Sequence, residues 1–180
     1  MRARWWILGG LGLVVLVVWS RRASASVDAA PLLTDNVMDW INNLTQDSAA
    51  NEALYRDAIA AAEFQYSLPE GLLHRVLYQE SRFRSDIITG ATASPAGALG
   101  IAQFMPATAA ELGFNPLDPY ASISGSARYL RDLRKQTNSW AEALAAYNWG
   151  IGNVKRKGLA AAPAETKSYV AGITADVGVA

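Results

Sequence analysis

Glu80 is an acidic residue whose position in the sequence could support chemistry. Leu73, Val76 and Leu77 precede it with the spacing of one helix face, and Glu80 continues that face at i+7. A helix that buries the three apolar side chains therefore also directs this carboxyl group toward the core. Burial away from a cation raises the pKa of a carboxyl group, which then donates a proton near neutral pH. Glu80 is thus predicted to be a general acid, the alternative being a helix-end Glu that faces solvent or pairs with a following arginine.

A loop of small residues follows the acid. Ser94, Gly97 and Gly100 carry little side chain, and Gln103 and Met105 come shortly after them. A polymer could pass close to such a backbone, with the Gln103 amide as donor and acceptor and Met105 as an adaptable apolar contact. Taken alone, a Gly-rich loop is usually a turn and a single Gln is usually a surface residue. Beside a buried acid, we interpret these residues as the floor of a groove.

Motifs in a fixed order give the chain a resemblance to a known family. They are ES at residues 80–81, SPAGA at 94–98 followed by GIAQFMP at 100–106, AYNWG at 146–150, and PAETKSYV at 163–170. Together they resemble the signatures of the soluble-lytic-transglycosylase-like (SLT) domain, glycoside hydrolase family 23, over most of the chain after the N-terminal segment. The resemblance implies a mainly α, lysozyme-like helical domain with a substrate groove.

The resemblance also implies roles for individual residues. Glu80 would be the catalytic residue, and Tyr147 would lie close to it and hydrogen-bond the acid or the reacting sugar. The implied substrate-binding residues are Ser94, Gly100, Gln103, Met105, Tyr147, Asn148 and Glu165. For Glu165, the other interpretation is a favourable acid in the first turn of a helix.

Two features depart from the commonest family pattern. The loop between Phe83 and Ser94 is longer, which makes the placement of Ser94 less secure than that of Glu80. Trp149 stands where the family usually has a small residue. It either fills a gap in the core, which we favour, or offers a face for stacking on a sugar.

The resemblance implies a lytic transglycosylase reaction on peptidoglycan. Glycoside hydrolysis normally uses two carboxyl groups, but none of Asp86, Asp118 and Glu165 matches a second catalytic acid of the family. In that family, a single Glu protonates the glycosidic oxygen between MurNAc and GlcNAc and then takes the proton of the C6 hydroxyl, leaving a 1,6-anhydro ring. Two alternatives stay open: a hydrolytic muramidase resembling goose-type lysozyme, and a wall module that binds glycan without cutting it.

Composition excludes several other classes of protein. Four arginines precede the first acid, Asp28, and without them 12 basic residues stand against 16 acidic ones, unlike a nucleic-acid binder. The chain of 180 residues has no cysteine and therefore no disulfide or thiol chemistry. His74 is its one histidine, and a single histidine makes neither a catalytic triad nor a zinc site with the residues above. No metal and no cofactor is expected.

Residues 5–19, WWILGGLGLVVLVVW, are uncharged and lie between two pairs of arginines. Such a segment belongs in a membrane or a translocon, and its length suits a signal-peptide core better than a span of about 20 residues. Two arginines separate it from the Ala23-Ser24-Ala25 cleavage motif, so an uncleaved anchor is favoured. The predicted location is the inner membrane facing the periplasm, or export to the periplasm. Candidate partners are glycan strands, the membrane, and an envelope-spanning or virion assembly.

The remaining pattern is helical. No segment shows sustained period-two alternation, so strands are predicted to be few or absent. Pro69, Pro106 and Pro119 are expected in the first turns of helices, and Ser139 with Glu142 fits a capping box. The predicted organisation is an N-terminal hydrophobic helix serving as membrane anchor or signal segment (1–25), a linker with a short helix (26–51), and the SLT-type catalytic domain (52–180).

Overall fold

The computed structural model describes residues 30–179. Over this range the fold is mainly α, as predicted, and one isolated antiparallel bridge between Leu99 and Phe104 is its β-structure. The helices are α1 (Ala30–Tyr66), α2 (Leu72–Ser81), α3 (Ser85–Ile88), α4 (Pro106–Leu112), α5 (Pro119–Lys135), α6 (Trp140–Trp149), α7 (Ile151–Lys157), a 3₁₀ turn (Leu159–Ala161) and α8 (Ala164–Val177).

Helix α1 differs from the sequence-based expectation. Residues 30–51, for which a linker with a short helix is predicted, are helical throughout and continue without a break to Tyr66. After Pro31 in the first turn, the segment contains no proline or glycine that would interrupt the backbone hydrogen bonds. The predicted boundary between linker and domain at residue 52 therefore falls inside one helix, and the division into domains stays a prediction.

The predicted membrane segment at residues 5–19 lies outside the described residues. Between residues 30 and 179, no helix has both the length and the apolar character that crossing a bilayer requires. The prediction of a hydrophobic N-terminal helix is thus neither supported nor contradicted by the fold.

Helix α2 lies at the centre of the core. Leu72, Leu73, Val76 and Leu77 are fully buried, as the helical spacing predicts. Around α2 pack α1, α5 and α8, and α6 packs in turn between α5, α7 and α8. Buried alanines at 143, 145 and 146 give α6 a thin face, which allows neighbouring helices to approach closely.

Several helix ends follow their predicted residues. Pro106 and Pro119 occupy first turns, and Ser139 Oγ accepts a hydrogen bond from Glu142 N at 3.1 Å. Glu142 completes only part of the predicted capping box, because its carboxylate accepts from Asn138 N at 2.9 Å rather than from Ser139 N. Pro69 is a correction: it lies in the turn before α2, which begins at Leu72. The carboxylate of Glu63 explains this, as shown below.

Candidate active site

Helix α2 carries Glu80 and is fixed at its opposite end by another acid. The buried carboxylate of Glu63, on α1, accepts backbone N–H donors from Gly71 at 2.9 Å, Leu73 at 2.8 Å and His74 at 3.2 Å. These N–H groups have no partner within the helix, so a carboxylate here satisfies them and complements the helix dipole. Glu63 therefore sets where α2 starts and anchors the helix that presents Glu80.

The surroundings of the half-buried Glu80 side chain raise the pKa of its carboxyl group. Burial raises its pKa to about 8, the hydrogen bond donated by Tyr169 partly opposes the increase, and the nearby carboxylate of Glu165 adds to it. The Tyr169 hydroxyl donates to Glu80 Oε1 at 2.9 Å. A carboxylic acid with a pKa of about 8 holds its proton at pH 7 and can donate it to a substrate oxygen.

Tyr147 lies near Glu80, but its hydrogen bonds differ from the expected ones. Its hydroxyl donates to the carbonyl oxygen of Ala102 at 3.1 Å and lies 3.5 Å from Ser126 Oγ. Burial and the negative charge of Glu80 raise the pKa of Tyr147 well above its ordinary value. The described hydrogen bond to the acid comes from Tyr169 instead, because Tyr147 is committed to the backbone of the loop around Ala102.

Two residues of that loop, Gly100 and Gln103, have positive φ angles, which few residue types adopt readily. Gly100 has φ +75°, and a Cβ added there would lie 1.9 Å from the carbonyl oxygen of Pro116. Gln103 has φ +49°, and its Nε2 donates to Gly100 O at 2.9 Å. The side chain of Gln103 thus stabilises the loop from within, and Met105 is the half-buried residue that precedes α4.

Ser94 and Asn148 also make structural hydrogen bonds. Ser94 Oγ accepts from Ala98 N at 2.8 Å and so closes the turn of the SPAGA motif. Asn148 Oδ1 accepts from Thr166 Oγ1 at 2.8 Å, which ties the end of α6 to the first turn of α8. Their predicted contacts with substrate stay predictions.

The structure brings part of the predicted site together. Glu165 acts electrostatically on Glu80 and Glu80 acts on Tyr147. The hydrogen bond from Tyr147 to Ala102 links these residues to the loop of Gly100 and Gln103. Sequence reasoning overlooked Tyr169 as the partner of the acid. A signal was present, because Glu165 and Tyr169 are four residues apart and share a face of α8.

Cavities are present elsewhere on the surface. Two cavities, of about 170 and 300 Å³, both border Tyr66, and neither is lined by Glu80. The predicted groove along Glu80 thus stays a prediction. Between residues 30 and 179, no three His, Asp or Glu side chains are grouped so that they could hold a metal ion.

Comparison with known proteins identifies relatives of the chain. Over 114 residues it is 38% identical to a transglycosylase of Enterobacteria phage PRD1. The aligned region covers 63% of this chain and 39% of the phage protein. Over 108 residues it is 35% identical to membrane-bound lytic murein transglycosylase F of Pseudomonas fluorescens. This aligned region covers 56% of this chain and 21% of that protein. The chain therefore matches well under half the length of either relative.

A solved structure shows the same kind of fold. The X-ray structure of an inactive Glu-to-Gln mutant of lytic transglycosylase Slt from Pseudomonas aeruginosa aligns with a TM-score of 0.56 and 27% identity, covering 66% of this chain and 22% of that one. This agreement supports the lysozyme-like helical domain that the motifs imply. The model of the family described as the transglycosylase SLT domain matches residues 57–170, which is more than half of the chain. The chain belongs to the transglycosylase SLT domain family.

Proposed function

We propose that the chain is a peptidoglycan lytic transglycosylase that cleaves the β-1,4 bond between MurNAc and GlcNAc and leaves a 1,6-anhydromuramyl product. The observation that carries this proposal is the carboxyl group of Glu80, which has a pKa of about 8 and a hydrogen bond from Tyr169, in a member of the SLT family. The names of its relatives, a phage transglycosylase and membrane-bound lytic murein transglycosylases, agree with it.

In the first step, Glu80 acts as a general acid. Its proton moves to the glycosidic oxygen as the bond from that oxygen to C1 of MurNAc breaks, and the GlcNAc chain leaves as an alcohol. The acetamido group of the same MurNAc stabilises the positive charge at C1. A carboxyl group that is neutral in the resting enzyme suits this step because the proton is already in place.

In the second step, the Glu80 carboxylate acts as a general base. It takes the proton of the C6 hydroxyl while that oxygen attacks C1, so the sugar closes into the anhydro ring and Glu80 returns to its protonated form. No water is consumed. The Tyr169 hydroxyl stabilises the carboxylate between the two steps, since a donor favours the charged form of its acceptor.

We assign substrate contacts to the residues that the motifs suggest. Gly100 and Gln103 shape the loop beside the acid, and Tyr147 fixes that loop through Ala102. Ser94, Met105, Asn148 and Glu165 complete the proposed binding surface. Their role is to hold the reacting MurNAc with its C6 hydroxyl toward C1, so that binding energy is used in the transition state.

One observation favours a second candidate, hydrolysis. Glu165 lies close enough to Glu80 to raise its pKa, and a second carboxylate beside the acid could activate water. The two reactions differ by one water in the mass of the product.

Mass spectrometry of digested sacculi separates the two reactions. We expect soluble muropeptides that end in anhydro-MurNAc, and none from the E80Q variant. Glu70→Gln is the matched control, because Glu70 is an exposed acid of the same type just before α2. Products heavier by one water would favour hydrolysis, and release by E80Q at the wild-type rate would refute the role of Glu80.

We also propose that the protein works outside the cytoplasm, attached to the inner membrane through residues 5–19 or exported past it. The support is the apolar sequence of that segment and the membrane-bound relatives. A phage virion is the alternative setting, in line with the PRD1 relative. Fractionation of cells that express the full chain tests this proposal, and recovery in the cytosol alone would contradict it.

A further inference from the structure

The chain makes an unusual turn immediately after Glu80. Helix α2 ends at Ser81, and the next two residues, Arg82 and Phe83, have φ values of +53° and +54°. Side-chain-bearing residues adopt this left-handed conformation only when their surroundings impose it, and here two adopt it in succession. The turn directs the Phe83 ring into the core, where it is fully buried against His74 and Tyr78.

Part of the support for this turn is local. Ser81 Oγ accepts from Phe83 N at 3.2 Å and donates to Leu77 O at 3.1 Å, and Arg84 N donates to Ser81 O at 3.1 Å. These bonds connect the turn directly to the last turn of α2, which carries Glu80. A change in the turn would therefore change the direction of the carboxyl group.

The rest of the support comes from α1. Asn51 Nδ2 donates to Phe83 O at 2.9 Å and to Ser85 Oγ at 2.8 Å. Asp47 accepts from Ser85 twice, from its hydroxyl at 2.7 Å and from its N–H at 3.0 Å. Asp47 and Asn51 are one helical turn apart, so a single face of α1 holds the C-terminal side of the strained segment.

These two residues lie outside the part of the chain that defines the family. The SLT model begins at residue 57, whereas Asp47 and Asn51 belong to the earlier part of α1. Building on the proposed function, we propose that Asp47 and Asn51 are positioning residues for the reaction: they hold the turn after Glu80 so that its carboxyl group stays against Tyr169.

Replacing Asn51 by Ala in the full chain tests this idea. The hydrogen bonds of Asn51 go to Phe83 and Ser85, which are not among the proposed substrate-binding residues. We therefore expect kcat to fall about 10-fold, as for a displaced catalytic group, with KM unchanged. Asp57→Asn is the matched control, since Asp57 is exposed on the same helix. Asp47→Asn keeps one acceptor for Ser85 and should retain activity between those of N51A and wild type. If N51A does not fold, the Asp47→Asn variant provides the test instead.

A second measurement does not depend on catalysis. The side-chain carboxyl resonance of Glu80, in protein labelled with ¹³C-glutamate, is assigned by its loss in E80Q and followed with pH. The titratable groups that influence Glu80 are Tyr169 and Glu165 on α8, and Glu80 in turn influences Tyr147 on α6. We expect its midpoint near pH 8 in wild type and in D57N, and a lower value in N51A. Burial is the largest cause of the raised pKa, so the better hydration of a displaced carboxyl group outweighs the loss of the Tyr169 hydrogen bond.

The outcomes are distinct. A lower kcat together with a lower Glu80 midpoint, in protein that is folded by circular dichroism, supports the proposal. An unchanged midpoint overturns it, whether or not kcat falls, because the effect would then not pass through Glu80. If wild-type protein releases no soluble muropeptides, the proposed function fails, and the titration still decides whether α1 positions the acid.

Discussion

Two glutamates mark the two ends of α2, and their surroundings differ. Glu63, which is 7% exposed, accepts three backbone N–H donors at the start of the helix. Glu80, at the other end, has one hydroxyl donor and a neighbouring carboxylate. Burial, together with the charge of Glu165, raises the pKa of Glu80. The same residue type thus serves as an anchor at one end and as a proton donor at the other.

The largest expected effect separates the two glutamates by activity. Replacing Glu80 with Gln removes the proton donor, and removal of a general acid costs roughly 10²–10⁴-fold in rate. Release of soluble muropeptides from sacculi measures this loss. Glu63→Gln should retain activity per folded molecule, and a loss there equal to that of E80Q would show that the two acids are not functionally distinct.

The same E80Q variant should also change how stability depends on pH. The folded protein raises the pKa of Glu80 to about 8. The contribution of Glu80 to the stability of the folded state is therefore fully present below the ordinary Glu pKa and is lost as pH rises through 8. Gln does not ionise. We therefore expect the Tm of E80Q minus that of wild type to increase from pH 5 to pH 9, and a constant difference would contradict the raised pKa.

The second effect in size concerns folding. Glu63→Gln replaces a carboxylate oxygen with an amide N–H that cannot accept from the α2 backbone, and one buried donor then loses its partner. We expect a loss of about 2–3 kcal/mol in the free energy of unfolding, measured by urea denaturation. The Glu70→Gln variant provides the control, because Glu70 is exposed. Equal stability of the two variants would contradict the anchoring role of Glu63.

A smaller effect is expected at Tyr169. The Tyr169→Phe variant loses the donor that lowers the Glu80 pKa, so the midpoint of the alkaline limb of the rate should move to higher pH. The rate at pH 7 should fall about 10-fold because the carboxylate formed in the first step loses its hydrogen bond. Tyr120→Phe, on the exposed side of α5, is the comparison. A shift of the midpoint to lower pH would contradict the assignment.

The smallest effect is expected at Glu165. Its carboxylate raises the Glu80 pKa, as the third contribution after burial and the Tyr169 hydrogen bond. Glu165→Gln should therefore move the alkaline midpoint slightly to lower pH, whereas exposed Glu111→Gln should leave it unchanged. Loss of the water-containing product in E165Q alone would instead identify Glu165 as the base of a hydrolytic reaction.

The sequence predicts the parts of this site that depend on local pattern. The spacing of Leu73, Val76 and Leu77 predicts the buried face of α2, because helical periodicity determines which side chains share a face. The hydrogen bond from Tyr169 to Glu80 joins residues 89 positions apart. The local pattern shows that Tyr169 shares a face with Glu165, but only the tertiary fold brings that face to Glu80. Glu63 illustrates the same limit, since its role depends on how α1 meets α2.

Gly100 marks an intermediate case. The sequence indicates a loop there, but the reason for glycine is the carbonyl oxygen of Pro116, which the tertiary fold brings close. For α1, in contrast, the sequence-based expectation and the structure differ. Polar composition suggests a linker at residues 26–51, whereas the absence of helix breakers and the contacts of Asp47 and Asn51 favour a helix through residues 30–51.

The unbroken helix α1 also sets the distance between its first residue and the turn after Glu80. From Ala30 to Asn51 the helix advances roughly 30 Å at 1.5 Å per residue, and Asn51 contacts the turn beside the acid. If residues 5–19 are inserted in a bilayer, α1 contributes a stiff spacer of this length between Ala30 and the turn beside the acid.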